Sequence, residues 1–146
     1  MDKLKILDVV KTKVTDKIRK LENLIEETRA SNNDTKSSMG DKYETGREML
    51  QQEINNLQRQ LNESLQQQSW IQKISGEPSS KVQTGALVKT DKGLFYISAS
   101  VGEIIFENQK IMTVSAESPL VKAMTGLTTG QNFFVNTVSQ AVEEIW

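Results

Sequence analysis

Apolar residues spaced for a helical seam constrain the first half of this chain more than any other feature. Leu7, Val14, Ile18, Leu21, Ile25 and Thr28 fall at alternating three- and four-residue steps, apart from one seven-residue gap. The rhythm stops over Asn32-Asn33-Asp34-Thr35-Lys36-Ser37-Ser38-Met39-Gly40. It resumes at Tyr43, Arg47, Leu50, Ile54, Leu57, Leu61 and Leu65. A stripe of this period is the contact line of a coiled coil. The interruption is too short to hold another element, so the two helices are expected to fold back antiparallel.

Helix one is expected from about Asp2 to Ala30, which at ~1.5 Å per residue is roughly 40 Å. Ser31 to Asp34 supplies polar residues that can end one helix and cap the next. Helix two is expected to begin between Lys36 and Asp41 and to reach about Ile74. Its surface is rich in glutamine, a good helix former that carries no charge. The apolar fraction of the whole chain, 36%, is low for a compact globule. A pair of helices that buries one narrow stripe each accounts for it.

Ser75-Gly76-Glu77-Pro78-Ser79-Ser80 gathers the residues that end helices, and the period of the pattern changes there. The expected organisation is a helical hairpin over residues 1–75, a linker over 76–81 and a small α+β domain over 82–146. In that last part Val82–Val88 and Leu94–Ser98 read as strands around the turn Thr90-Asp91-Lys92-Gly93. Gly102–Phe106 and Lys110–Val114 form a second pair, and Gln131–Asn136 and Gln140–Ile145 a third. Between them Ser118-Pro119 opens a short helix through Leu120, Val121, Ala123 and Met124. A serine N-cap with proline in the first helical position is a start signal, and Gly126 is the terminator. The fold class is therefore α+β, with an antiparallel sheet and one helix packed across it.

The chain has no cysteine and no histidine. This excludes thiol nucleophiles, thiolate metal sites and disulfides, together with the commonest general base and zinc ligand. Carboxylates remain, and they suit hard cations such as Mg²⁺. Charge is nearly balanced, with 18 basic and 19 acidic residues. Lys3, Lys5, Lys11, Lys13, Lys17, Arg19 and Lys20 crowd the start of helix one, and Glu22, Glu26 and Glu27 follow. No apolar run approaches the ~20 residues that span a bilayer, and the start lacks the apolar core of a signal peptide. A cytoplasmic protein without membrane contact is expected.

The order of helical hairpin, linker and small sheet domain resembles the Gre-type transcript cleavage factors of bacterial RNA polymerase. The sharpest local match is Ser115-Ala116-Glu117-Ser118-Pro119-Leu120-Val121-Lys122-Ala123-Met124-Thr125-Gly126, followed by Gly130-Gln131. It is similar to the family stretch S-x-x-S-P-L-x-x-A-(L/M)-x-G…G-(D/Q), in which a serine and proline cap the helix of an FKBP-like domain. The resemblance implies a monomer that binds bacterial RNA polymerase, with the segment at Ser118, Pro119 and Leu120 in the docking domain. It implies that the hairpin enters the secondary channel and meets RNA or DNA only inside the polymerase complex. The protein then has no complete active site and binds no cofactor alone; its tip acids share Mg²⁺ with the polymerase, where two metals stabilise the attacking and leaving oxygens.

The tip departs from the family pattern, G-D-L-x-E-N-A-E-Y, which carries two acids three residues apart. Anchored on Asp34, the second acid becomes Ser37. Anchored on Tyr43, the acids fall on Lys36 and Met39. Asp41 and Glu44 have the right mutual spacing and would share a helical face, but they lie further along helix two. The tip residues of interest are thus Asp34, Lys36, Ser37, Asp41 and Glu44, with Asp34 and Asp41 the metal candidates. They can support metal binding, they can enter the channel without stimulating cleavage, or they can serve only as caps and dipole partners of helix two. Lys36, Lys42 and Arg47 add positive charge that weakens metal capture.

Two other classes compete. Leu4, Ile6, Val9, Leu24 and Met49 offer apolar edge positions through which a coiled-coil interaction module could dimerise. The FKBP-like resemblance suggests a prolyl isomerase, but the aromatics Phe95, Tyr96, Phe106, Phe133, Phe134 and Trp146 define no visible proline pocket. Tyr43 lies in the seam register or stacks on a base. Trp70 marks a contact between helices and sheet domain, or is partly exposed near the helix end.

Overall fold

The computed structural model describes residues 1–37 and 44–146, and the side chains of 1–32 and 46–146. Two long helices come first, α1 (Lys3–Ser37) and α2 (Glu44–Gln72). The strands β1 (Leu87–Thr90), β2 (Gly93–Ser98), β3 (Glu103–Phe106) and β4 (Gln109–Ser115) follow. The helix α3 (Pro119–Met124) and the strands β5 (Asn132–Val135) and β6 (Val138–Ile145) complete the chain. This is the α+β class, with a helical pair ahead of a six-stranded sheet and one short helix. The residues form two compact units. One comprises Val14–Gln68, and the other joins Met1–Lys13 to Ser69–Trp146.

In the helical unit, Leu21 and Ile25 of α1 pack with Ile54 and Leu57 of α2, and Leu61 closes the cluster half-buried. Each fully buried aliphatic side chain contributes about 1.5–3 kcal/mol relative to exposure. The buried residue after Leu61 is Ser64, whereas Leu65, expected in the seam, is 43% exposed. Helix phase explains the exchange. The buried positions 54, 57, 64 and 71, with half-buried 61 and 68, keep one three-four alternation that Leu65 would break. On α1, Val10 is buried and fills the seven-residue gap between Leu7 and Val14.

Helix α1 also runs seven residues beyond the expected end at Ala30, through Asn32-Asn33-Asp34-Thr35 to Ser37. These residues have only modest helix penalties, up to ~0.7 kcal/mol each, and no glycine or proline occurs before Gly40. At the other end Asp2 caps α1, its carboxylate accepting from the Lys5 amide at 3.2 Å.

In the second unit the sheet order is β3-β4-β2-β1-β6-β5. Neighbours are antiparallel except β2 and β4, which run parallel with Tyr96 opposite Thr113. The sheet is therefore mixed, where an antiparallel one was expected. After β2 the chain first lays β3 at the edge, and β4 returns between them as the hairpin partner of β3. The first strand starts at Leu87 instead of Val82. Gly85, at φ +92°, and the Ala86 amide bonded to the Gln83 carbonyl at 3.0 Å make a turn where a strand was expected. Val82 is still fully buried, and its amide and carbonyl bond to Leu127 and Gly126 beyond α3.

One face of the sheet carries Val88, Ile97, Val114 and Val142, which pack with Val121 and Met124 of α3 and with Phe133. The register places Leu87, Tyr96, Ile111 and Thr113 on the opposite face, and all four are buried. The start of α1 belongs to this unit. Ile6 and Val10 are fully buried, and the Lys13 ammonium donates to the Glu103 carbonyl at 2.9 Å. Ile6 is thus not a free edge position, although Leu4, Leu24 and Met49 are exposed.

Candidate functional site

Of the five residues expected at the hairpin tip, four are placed, and only by their backbone. Asp34, Lys36 and Ser37 fall in the last turns of α1, and Glu44 opens α2. Their side chains, and all of Asp41, Lys42 and Tyr43, lie outside the described residues, as do the metal assignments to Asp34 and Asp41. Among the described residues no group of three or more carboxylates is gathered for a metal ion.

The segment Ser118-Pro119-Leu120 is well defined. Ser118 is extended at φ −68° and ψ 147°, and its hydroxyl accepts from the Val121 amide at 3.2 Å. Pro119 takes the first helical turn, where a missing N–H costs nothing. Leu120 is half-buried against the core shared by α3 and the sheet. Gly126 leaves the helix at φ +84°, as expected of the terminator. The segment builds the fold, and Leu120 spends its apolar surface inward.

A cleft of about 490 Å³ lies beside the start of this segment, wholly within the sheet-bearing unit. Trp70, Lys73, Ile74 and Ser75 supply one wall. Ser98 at the end of β2 and Ser115, Ala116 and Glu117 between β4 and α3 supply much of the rest. The last turn of α2 tightens here, with the Lys73 and Ile74 amides bonding three residues back to Trp70 and Ile71 at 3.1 Å. That turn holds Trp70 at 44% exposure. Ser98 is 5% exposed, and its hydroxyl has no partner among the described residues. Glu117 leans towards Lys122 at 3.9 Å, both largely in solvent.

Sequence reasoning singled out Trp70 but neither Lys73 nor Ser98. A serine closing a strand and a lysine beyond a helix end carry no local signal; only the parity of β2, which puts Ser98 on the face of Tyr96, hints at burial.

The basic start of α1 is partly committed to structure. Lys3 is 5% exposed, donates to the Glu77 carbonyl at 2.6 Å, and is held below the usual lysine pKa by burial. Lys13 bonds to Glu103, and Lys5 lies 3.9 Å from Asp2. The aromatics of the sheet are dispersed. Phe133 enters the α3 core, Phe134 is 69% exposed, and Tyr96 is fully buried on the opposite face. Burial pushes the Tyr96 phenol up to about 12. No helix is long and apolar enough to cross a membrane among the described residues.

No protein-family model matches the sequence, and no curated protein does. Among solved structures the chain is similar to the transcription factor Gfh1, at 13% identity over 92% of each chain and a TM-score of 0.40. A second similar structure is GreA factor homolog 1 of Thermus thermophilus, at 14% identity over 93% of this chain and 94% of that one, with a TM-score of 0.39. Gfh1 of Thermus aquaticus is similar at 15% identity, covering 87% and 92%, with a TM-score of 0.33.

Proposed function

We propose that this protein is a transcription elongation regulator of the Gre type, which binds bacterial RNA polymerase at the secondary channel. The hairpin tip then stimulates transcript cleavage or modulates elongation near the active site. The observation that carries this reading is the segment with the sharpest sequence match. It folds as a Ser118-capped helix on a small mixed sheet, after two helices of 35 and 29 residues.

The chemistry of cutting belongs to the polymerase in this proposal. The tip contributes carboxylates from Asp34, Asp41 or Glu44 that share Mg²⁺, or it occupies the channel without them. Carboxylates suit this role because Mg²⁺ takes one or two from a protein and keeps water on its other positions.

The test is an RNA cleavage assay on stalled, backtracked complexes, after binding to polymerase core is measured. Wild type is compared with Asp34→Ala and with Asp41→Ala/Glu44→Ala. Cleavage that a tip variant loses supports the shared-metal role. Binding without cleavage in wild type supports the occluding role, and absence of binding at micromolar core refutes the proposal.

A coiled-coil adaptor is the second reading, favoured by Leu24 and Met49, which are 37% and 66% exposed on the helical pair. Light scattering separates the two, since the adaptor is a stable dimer and the channel regulator a monomer.

A further inference from the structure

We propose that β5 is a docking edge for a second copy of this chain, with the two β5 strands pairing antiparallel about a two-fold axis through Phe134. The pairing goes beyond the function proposed above and does not depend on it.

The sheet has two edges, β3 and β5, and they are built differently. The β3 edge is protected. It carries Glu103, Lys110 lies opposite its exposed Ile105, and the Lys13 ammonium of α1 already takes the Glu103 carbonyl at 2.9 Å. Charges along an edge and a covering element are ways in which sheets avoid adding strands. No such charge lies near β5: residues 123–142 contain no Asp, Glu, Lys or Arg, although 25% of the chain is charged. The β5–β6 register closes the turn Asn136-Thr137 on the pair Val135 and Val138. Alternate residues of an antiparallel strand bond to opposite sides, so Phe133 and Val135 bond to β6. Asn132 and Phe134 turn their N–H and C=O groups outward, and neither makes a backbone bond outside the hairpin among the described residues. The Phe134 side chain stands in solvent as well, with the residue 69% exposed. An open edge beside an exposed aromatic is the arrangement that accepts a further strand.

The strand matches itself, which selects a second copy over a foreign strand. With Phe134 on the axis, Phe134 faces Phe134 of the second copy, and Phe133 faces its Val135 on either side. Every one of these pairs is apolar, and neither copy brings a charge to the contact. The two Phe134 residues exchange reciprocal N–H to C=O bonds. A shift of one residue would need the backbone of Phe133, which is already spent on β6, and a shift of two would set Phe134 against Asn132. Phe133 and Val135 pack with the core beneath α3, so the pairing continues that core across the axis. The edge is only four residues long. Stable interfaces bury about 1,200–2,000 Å², so this dimer is weak and reversible. It is distinct from the stable dimer of the adaptor reading, which uses the helical pair.

The experiment is sedimentation velocity on the full chain, from about 10 μM to about 1 mM. Wild type is expected to pass from monomer to dimer within that range. Amide exchange at Phe134, followed by NMR, is expected to slow with concentration. Phe134→Lys sets two like charges on the axis and is expected to raise the dimer Kd by about tenfold or more. Phe134→Ser removes the ring without adding charge and serves in its place if circular dichroism shows the lysine variant unfolded. Met49→Lys, at a residue 66% exposed on α2, is the control and is expected to dimerise as wild type does. A dimer lost in Phe134→Lys and kept in Met49→Lys supports the proposal. A monomer throughout the series overturns it and leaves the β5 edge to a foreign strand. A dimer that survives Phe134→Lys also overturns it, and if Met49→Lys abolishes that dimer the contact lies on the helical pair.

Discussion

Replacing Tyr96 with phenylalanine should make the sheet-bearing unit more stable, and increasingly so in alkali. Tyr96 is fully buried in the middle of β2, and its hydroxyl has no partner among the described residues. The neighbouring hydroxyl is already engaged. Thr113, opposite Tyr96 on β4, donates to the Gly102 carbonyl at 2.6 Å and accepts from the Val101 amide at 2.9 Å. An unpaired buried hydroxyl costs about 1–3 kcal/mol. Tyr96→Phe removes it and keeps the ring, leaving a void of atomic size worth a few tenths of a kcal/mol at ~24 cal/mol per Å³. The expected gain at pH 7 is roughly 1 kcal/mol, or about 2–4 °C in Tm for a chain of this length.

The pH dependence gives the same group a second, independent readout. Burial pushes the Tyr96 phenol up to about 12 from 10.0. Between those values the folded state holds a proton that the unfolded chain has released. Stability from this source is therefore complete below pH 10 and is lost as pH rises through 12. Two pKa units correspond to roughly 2–3 kcal/mol. Lys3 acts in the opposite sense, because its pKa is lowered by burial, and it adds stability as pH rises towards 10.5. Its contribution is common to wild type and Tyr96→Phe, so it cancels in their difference. The difference should be ~1 kcal/mol at pH 7 and roughly 3–4 kcal/mol near pH 12. Urea unfolding followed by tryptophan fluorescence measures it, since Trp70 and Trp146 both lie in the sheet-bearing unit. A variant less stable than wild type by ~1 kcal/mol at pH 7 would show that the hydroxyl is paired. Parallel alkaline curves would show that burial does not hold the phenol neutral.

Ser64→Ala should stabilise the helical unit by about 1–2 kcal/mol, because a fully buried, unpaired hydroxyl is removed and alanine is the better helix former. Thermal unfolding followed at 222 nm is the measurement. Ser118→Ala should cost about 1 kcal/mol by removing the cap on the Val121 amide, and Ser118→Asp should restore most of it in urea titrations. Thr137→Gly should gain about 0.5–1 kcal/mol. The β5–β6 turn holds Asn136 and Thr137 at φ 49° and 70°, where a β-branched residue is strained and Asn-Gly is the favoured pair. Slower amide exchange across that hairpin would accompany the gain.

What the sequence revealed, and what it hid, follows from the range of the interactions involved. The helical seam was legible because periodicity is a local signal repeated many times. Among the described residues it passed over Val10 and took Leu65 for Ser64, the second because hydrophobicity was ranked above phase. The α3 cap was legible for a similar reason, since Ser118, Pro119 and Gly126 each act within a few residues of themselves. The parallel pairing of β2 with β4 was not legible. It depends on where β3 is laid down, and no residue in β2 encodes that choice. The same logic separates the tip acids from the cleft. The tip acids Asp34, Asp41 and Glu44 are read from contiguous sequence alone. The cleft joins Trp70 and Lys73 to Ser98 and Glu117, residues up to 47 positions apart. Its unpaired hydroxyl exists only because the end of β2 is buried beside the end of α2. A cleft assembled in this way leaves no contiguous motif in the sequence. If the proposed function holds, Asp34→Ala should alter cleavage on backtracked complexes without altering the affinity for polymerase core.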